Sequence, residues 1–186
     1  MPKVRPPKKP DAPALGSLHV RAWQRAYRGG LMPDRYLDEL SADERTQMWV
    51  EALQRDPRPR FSRFVVEDHG GMVVGFIAVG PATDPASEDA EVYALNVDPD
   101  VWSSGFGTAL LDAGTDALRR DGFAEAVLWV HRGNRRARRF YEAAGWVPDG
   151  KERLQEVLGV QVPEVRYRRS LDAEARRIGQ GAADTT

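Results

Sequence analysis

The apolar positions near the start of the chain follow helical spacing. Asp11 can cap a helix that runs to about Arg28, where Gly29-Gly30 ends it. Its apolar side chains fall at Leu15, Leu18, Ala22 and Tyr27. The spacing therefore predicts one amphipathic helix of about four turns.

A second helical stretch follows the glycine pair. It starts at Pro33-Asp34, and Ser41 with Glu44 forms a capping box for its continuation to Gln54. The run Asp-Pro-Arg-Pro-Arg at 56–60 ends this stretch, because proline cannot continue a helix.

Period-two alternation then replaces the helical spacing. Residues 61–67 alternate, a His-Gly-Gly turn occupies 69–71, and residues 72–79 return as an apolar run, which predicts a β-hairpin. After a loop of turn residues at 81–89, residues 91–97 predict another strand.

A strand–helix rhythm completes the pattern. Helices are predicted at 105–120 and 134–144, on either side of a buried strand at 125–131. A strand–helix–strand unit of this length places strands 91–97 and 125–131 side by side and parallel. With one more strand at 164–168, the sequence predicts an α+β fold, in which a mixed central β-sheet carries helices on both faces.

The pattern indicates a single domain at 11–170 with a flexible segment at each end. Residues 1–10 contain four prolines, and only a short edge strand near Val4 is expected there. Residues 171–186 become small and polar and are expected to fray. No linker and no internal repeat divides the chain between them.

Composition narrows the chemistry. The 186 residues contain no cysteine, which excludes a disulfide scaffold, thiolate-bound metal and a cysteine nucleophile, and which fits a reducing, cytoplasmic location. His19, His69 and His131 lack ligand-like spacing, so no metal site is expected. No apolar run reaches the roughly 18 residues of a membrane helix. A net charge of −1 disfavours a nucleic-acid binder, although arginines cluster at 132–139.

Glycines stand between a predicted strand and a predicted helix at 105–108, which read Gly-Phe-Gly-Thr. Glycine lets a ligand approach the backbone, and a helix start offers unpaired N–H groups, so the segment favours a phosphate or pyrophosphate. A tight turn without a ligand explains the glycines equally well. No Gly-Lys-Ser/Thr follows, and Leu110 stands where a dinucleotide-binding motif has its third glycine.

A second motif follows the strand at 125–131. Residues 134–146 read Asn-x-x-Ala-x-x-Phe-Tyr-Glu-x-x-Gly-Trp. Asn134 can cap the helix, and most of the apolar positions are most simply core. Tyr141 places a hydroxyl near the sheet, and a buried hydroxyl requires a hydrogen-bond partner.

The order of these two motifs resembles the GNAT superfamily of acetyl-CoA-dependent N-acetyltransferases. The resemblance covers about residues 15–170 and implies the GNAT fold, with parallel central strands that splay apart. The phosphate loop of the family begins with Gln or Arg, whereas this chain has Trp102 at that position. Most phosphate contacts in the family come from backbone N–H groups, so the loop can still bind.

The resemblance implies a set of contacts to acetyl-CoA, the co-substrate. Three residues would pair their backbone with the pantetheine arm: Leu95, Asn96 and Val97. A free N–H near Asn96 or Val97 would polarise the thioester carbonyl. Six residues would hold the pyrophosphate: Ser103, Ser104, Gly105, Phe106, Gly107 and Thr108. Asn134 would contact the cofactor arm, and Tyr141 would protonate or hydrogen-bond the leaving thiolate.

The reaction also requires a base, because an alkyl ammonium with a pKa of roughly 10 cannot attack at neutral pH. Glu91 matches the position of the general-base glutamate in the histone-acetylating branch of the family, and otherwise is a solvated charge. His131 is the alternative base, and otherwise caps the strand. In the family the first helical region often walls the acceptor pocket, which implies Trp23, Tyr27 and Tyr36 as acceptor contacts. Trp23 and Tyr27 are equally explained as core aromatics.

The sequence therefore predicts an acyltransferase that moves acetyl from acetyl-CoA to a primary amine by direct attack. The acceptor is a small-molecule or peptide amine, and a homodimer, common in the family, is one expected state. The alternative is a non-catalytic acyl-CoA-binding or sensor domain, against which the presence of Glu91 and Tyr141 argues.

Overall fold

The apolar alternation of the middle of the chain pairs into a mixed sheet. A computed structural model describes residues 2–56, 58–157 and 159–172. Within these ranges the strands are β1 (Lys3–Arg5), β2 (Ser62–Glu67), β3 (Val73–Pro81), β4 (Ala90–Val97), β5 (Glu125–His131), β6 (Val147–Val157) and β7 (Val160–Ser170). They are ordered β1-β2-β3-β4-β5-β7-β6 across the sheet.

Helices cover both faces of this sheet. They are α1 (Ala12–Tyr27), α2 (Asp34–Asp38), α3 (Ala42–Gln54), α4 (Phe106–Arg120) and α5 (Arg135–Ala143). The apolar stripe of α4 packs with Ile77 and Val79 on one face, and Tyr141 of α5 belongs to the same core. Leu15 and Leu18 of α1 pack on the opposite face. The predicted fold class is confirmed by this arrangement.

Two glycines let helices approach their neighbours closely. A Cβ on Gly114 would lie 2.7 Å from Ile77 Cδ1, so α4 rests directly on β3. A Cβ on Gly16 would lie 2.6 Å from the backbone nitrogen of Thr46, so α1 and α3 pack almost backbone to backbone. At both sites the absent side chain fixes the distance between elements.

The two parallel strands separate part-way along their length. β4 and β5 pair only from Ala90–Val92 to Ala126–Leu128. Beyond Val92, β4 stays paired with β3, whereas β5 stays paired with β7 as far as His131. Each strand therefore keeps one bonded edge and turns its other edge toward an open gap, as the GNAT resemblance implied.

Three regions differ from the sequence prediction. The helical stretch 33–54 is interrupted: α2 ends at Asp38, and Ser41 Oγ accepts a hydrogen bond from the Glu44 N–H to begin α3 as a separate helix. β6 was not predicted, and β7 extends well beyond 164–168. Most of β6 is exposed at this sheet edge, and its residues are mostly polar and show no alternation.

The domain also extends past its predicted boundaries. β1 pairs with β2, and Arg5 forms ion pairs with Glu67 and Asp11, so residues 3–11 are attached to the sheet. At the other end, Leu171 is buried and its carbonyl accepts a hydrogen bond from Arg119. The rest of the predicted tail, residues 173–186, lies outside the described residues.

Candidate active site

The gap between β4 and β5 opens into a cavity of about 930 Å³. Its walls come from four directions: α1, the two splayed strands, the loop before α4, and α5 with β7. Such a volume lies in the usual range for a pocket that holds a small molecule or cofactor. The cavity therefore gathers residues that are far apart in the chain.

The free edge of β4 forms one wall. Leu95, Asn96 and Val97 all line the cavity. The Val97 carbonyl points away from β3, since it accepts a hydrogen bond of 2.8 Å from the Trp102 indole Nε1–H. The N–H and C=O of an extended residue point to the same edge of its strand, so the Val97 N–H also faces the gap.

Trp102 therefore stabilises the loop before α4. Its indole ties the loop before α4 to the end of β4, while Asp98 caps the short turn at 99–101 and binds Arg21 of α1. These bonds fix the loop relative to both the sheet and the first helix. The departure from the family pattern at Trp102 leaves the loop ordered by side-chain hydrogen bonds.

The loop ends in a left-handed residue at the start of α4. Gly105 has φ of +84°, and no atom lies within 4 Å of where its Cβ would stand. The first intrahelical bond runs from the Ala109 N–H to the Gly105 carbonyl, so the N–H groups of residues 106–108 precede it. Five of the six predicted loop residues line the cavity: Ser103, Gly105, Phe106, Gly107 and Thr108. Ser104 does not.

A cation lies beside this loop. The Arg136 guanidinium sits 4.1 Å from the centre of the Trp102 ring, and its Nη2 is 3.5 Å from Ser103 Oγ. Arg136 projects from the first turn of α5 and also lines the cavity. The ring of Trp102 holds the guanidinium near the helix start, where positive potential already favours an anion.

Tyr27 and Tyr141 both line the cavity. Tyr141 is buried on α5, and its pKa is raised by burial and, to a smaller degree, by Tyr27. Burial raises the pKa of Tyr27 to about 12, Glu164 adds to the rise, and Asn134 acts in the opposite direction. Both phenols are therefore protonated at neutral pH and can donate hydrogen bonds.

Asn134 and His131 stand at the turn into α5. Asn134 lines the cavity while its Oδ1 accepts from the Ala137 N–H at 3.1 Å, as predicted for a cap. His131 Nδ1 accepts from the Gly133 N–H at 2.9 Å, and its side chain is buried without lining the cavity. Burial lowers the pKa of His131, so the ring is neutral and its Nδ1 lone pair is already engaged.

Glu91 lies one residue before Val92, the last residue of β4 that pairs with β5. It is buried, and its Oε2 accepts hydrogen bonds of 2.7 Å from both the N–H and the hydroxyl of Thr83. Glu91 is not among the cavity-lining residues. The carboxylate therefore anchors the loop at 81–89 through Oε2, and Oε1 makes no hydrogen bond to the residues that the structure describes.

The predicted acceptor residues divide into two groups. Trp23 and Tyr27 line the cavity with their rings 5.2 Å apart. Tyr36 is buried with Leu37 and Val162 in the apolar cluster against which Trp23 and Tyr27 pack, and it does not line the cavity. Tyr36 is therefore placed by the structure in the core beneath the acceptor side rather than at its surface.

Several lining residues were missed by the sequence analysis. His19, Met32, Trp129 and Glu164 all face the cavity. Glu164 reaches it because β7 pairs antiparallel with β5, a register that no local pattern reveals. Among the described residues, no group of three or more His, Cys, Asp or Glu side chains is arranged to hold a metal ion, and no helix is long and apolar enough to cross a membrane.

Known proteins share both the sequence and the architecture. A family model described as "Acetyltransferase (GNAT) family" matches residues 19–146. The Mycobacterium tuberculosis protein named "Probable N-acetyltransferase Rv2775" is 32% identical over 170 residues, 89% of this chain and 92% of its own. YuaI of Bacillus subtilis, named as an uncharacterized N-acetyltransferase, is 30% identical over 163 residues, 87% and 89% of the two chains.

A solved structure gives the same fold. The paiA N-acetyltransferase of Thermoplasma acidophilum, crystallised with coenzyme A, superposes with a TM-score of 0.70 at 17% identity, over 91% of this chain and 99% of its own. The splayed strands, the glycine loop and these similarities define an acyltransferase of the N-acetyltransferase class. This chain belongs to the GNAT acetyltransferase family.

Proposed function

We propose that the protein transfers the acetyl group of acetyl-CoA to a primary amine by direct attack, without a covalent acyl-enzyme. One observation carries the proposal: the start of α4 and Tyr141 open into the same cavity between the splayed strands. An anion-binding end and a proton-donating phenol in one gap suit a phosphate-bearing thioester whose sulfur must leave.

The loop and Arg136 would bind the anionic end of the co-substrate. The N–H groups of residues 106–108 and the guanidinium of Arg136 supply donors and positive charge at one place. Arg136 would supply a cationic donor near the loop, where the family has Gln or Arg and this chain has Trp102. In the neighbouring wall, the Val97 N–H would hydrogen-bond the thioester carbonyl and stabilise the charge that develops on its oxygen.

The group transfer balances with these residues alone. The amine nitrogen bonds to the acetyl carbon, the carbon–sulfur bond breaks, and the electron pair leaves on sulfur. Two protons leave the original ammonium, of which one ends on sulfur and the other passes to solvent. The raised pKa of Tyr141 makes full transfer of its own proton to a thiolate unfavourable, so Tyr141 would act by donating a hydrogen bond.

We propose Glu91, through a water molecule at Oε1, as the base that takes the first proton. Oε1 has no hydrogen-bond partner within the described part of the chain, which supports this role, whereas the engaged Nδ1 of His131 makes that residue the weaker candidate. We expect Glu91→Gln to lower kcat/KM about 10²-fold at pH 7, with partial recovery at higher pH where more amine is neutral.

Thr83→Val provides the matched control for Glu91. It removes the hydroxyl donor to Oε2 but keeps the carboxylate. Equal losses in both variants, with no recovery at high pH, would reduce Glu91 to an anchor of the loop at 81–89. If His131→Ala alone produces the recoverable loss, His131 is the base.

The function as a whole is tested by two measurements on the unaltered protein. Calorimetry should give a micromolar dissociation constant for acetyl-CoA, and free thiol should appear when primary amines are added with acetyl-CoA. Binding without thiol release for any amine would identify a non-catalytic acyl-CoA-binding domain. Absence of binding would overturn the proposal.

A further inference from the structure

The cavity carries its charges unevenly. Two of its lining residues are arginines that lie near the loop before α4. Arg136 contacts Trp102 and Ser103. Arg25 lines a neighbouring groove together with Pro99, which belongs to the turn before this loop. Glu164 is the one acidic side chain that lines the cavity within the described residues. It comes from β7, on the side where Val162 packs against Met32.

Glu164 lies beside the reacting groups. In the sheet register it stands opposite His131, and its charge helps to raise the pKa of Tyr27, whose ring centre is 5.9 Å from that of His131. Tyr27 in turn neighbours Tyr141. A carboxylate at this position faces the place where an amine would approach the thioester.

Only one oxygen of the Glu164 carboxylate makes a hydrogen bond within the described residues. Its Oε2 accepts a hydrogen bond of 2.7 Å from Arg153 Nε, and no donor within the described residues meets Oε1. The Arg153 guanidinium is itself stacked 4.2 Å from the centre of the Trp129 ring. Arg153 thus orients Glu164 and leaves one oxygen for a ligand.

Aromatic rings line the same cavity as this carboxylate. Trp23, Tyr27 and Trp129 line the same cavity, and with Glu164 they form what we call the acceptor wall. Aromatic faces attract cations and stack on flat apolar groups, while a carboxylate binds an ammonium by a charge-assisted hydrogen bond. The combination suits a cationic amine carried on an aromatic or apolar body.

We propose that the acceptor wall binds the ammonium group of such an amine through Glu164 Oε1, and that the acceptor bears no carboxylate on the carbon next to its nitrogen. A carboxylate there would lie against Glu164 and be repelled by it. The inference rests on the proposed acetyl transfer, and it adds the acceptor class and its recognition residue.

Three probes test the inference on the unaltered protein. Phenethylamine carries the ammonium and the ring, phenylalanine adds a carboxylate next to the nitrogen, and 2-phenylethanol lacks the charge. We expect phenethylamine to bind the coenzyme A complex at least about tenfold more tightly than either relative, since a charged hydrogen bond is at stake. Quenching of tryptophan fluorescence or calorimetry measures the affinities without turnover.

Glu164→Gln should weaken phenethylamine about tenfold and leave the affinity for acetyl-CoA unchanged. Glu156→Gln is the matched control, because it makes the same charge change on an exposed residue of β6 outside the cavity. The probe comparison decides the matter even if Glu164→Gln does not fold.

The outcomes separate this inference from the proposed function. Failure of acetyl-CoA to bind removes the acetyl transfer, whereas the amine affinities are measured by themselves. The acceptor class is overturned if phenethylamine does not bind at millimolar concentration. It is overturned equally if phenylalanine or 2-phenylethanol binds as well, or if Glu164→Gln in a folded protein leaves the phenethylamine affinity intact.

Discussion

The two walls of the cavity are built from different materials. The side that we propose for the co-substrate uses backbone: the free edge of β4 and the first N–H groups of α4, all within residues 93–108. The acceptor wall uses side chains from three separate segments, carried by α1, β5 and β7. A wall of backbone tolerates sequence change as long as its glycines and its turn persist, whereas a wall of side chains changes with each substitution.

The contrast between the two walls is tested most directly at Tyr141, which lies where the two walls meet. Tyr141→Phe keeps the ring and removes the hydroxyl, so we expect turnover to fall about 10²-fold while the affinity for acetyl-CoA changes little. Single-turnover thiol release and calorimetry measure the two quantities. Tyr167→Phe is the control, because the Tyr167 hydroxyl binds Arg138 and Glu142 outside the cavity.

An unchanged turnover in Tyr141→Phe would make Tyr141 a core aromatic only. The side chain would then resemble Trp146, which packs beside it in the same core at a ring distance of 6.3 Å. A loss of turnover in Tyr167→Phe equal to that in Tyr141→Phe would point to the same conclusion, since a general loss of packing would explain both.

The backbone side is tested at Gly105. Gly105→Val forces a β-branched residue to φ of +84° and places a side chain where an anion would approach the helix start. We expect the affinity for acetyl-CoA to fall by about tenfold or more, and the strain to lower the free energy of unfolding by about 1–2 kcal/mol. Calorimetry and urea unfolding measure the two effects.

Gly122 supplies the matched control at the other end of α4. It has φ of +80° and no neighbour within 4 Å of its missing Cβ, but it does not line the cavity. Gly122→Val should therefore lose similar stability and keep its affinity for acetyl-CoA. A parallel loss of affinity in both variants would mean that Gly105 serves the fold alone.

The sequence predicts the wall built from backbone better than it predicts the acceptor wall. The strand at 91–97, the glycine loop and the helix with Tyr141 are contiguous, so motif and spacing place them, and the structure brings Val97, Gly105 and Tyr141 to one cavity. The order of elements and the parallel pair were also predictable, because helical and alternating periods are local.

Only half of the acceptor wall could be predicted: the family resemblance implied Trp23 and Tyr27, whereas nothing in the sequence indicated Trp129 and Glu164. Glu164 faces the cavity because of the register between β5 and β7, and β6, which supplies its partner Arg153, shows no alternation. Tyr36 was expected at the surface of the pocket from its position in the chain, yet α2 turns it into the core with Leu37. Long-range pairing decides these positions, and a single sequence does not display it.

We also expect the free energy of unfolding to depend on pH through His19, which lines the cavity. Burial, with a smaller effect of Arg45, lowers the pKa of His19 on α1 to about 4, and the ring packs against Trp23 and Phe76. The unfolded chain binds this proton more readily, so stability is lost as the pH falls from about 6.5 toward 4. From pH 7 to 5.5 the contribution of His19 is about 1 kcal/mol.

His19→Leu should remove that contribution and flatten the profile by the same amount. Urea unfolding at pH 7 and pH 5.5 measures the difference, which is read between the two proteins because His131, whose pKa is also lowered, remains in both. Equal slopes for the two proteins would show that His19 keeps an ordinary pKa in the fold.

The smallest effect is expected at Arg136, where a side chain assists the backbone wall. Its guanidinium is exposed, so salt screens its charge, and removing it should weaken acetyl-CoA binding only about threefold at low ionic strength and less at high. Arg136→Gln measured by calorimetry at two salt concentrations tests this expectation.

Arg139→Gln is the control, because Arg139 is also exposed on α5 but does not line the cavity. A loss that is the same in both variants would be a general effect of net charge. A loss confined to Arg136 that exceeds the loss at Gly105 would reverse the comparison, because the co-substrate would then be held mainly by a side chain rather than by the backbone.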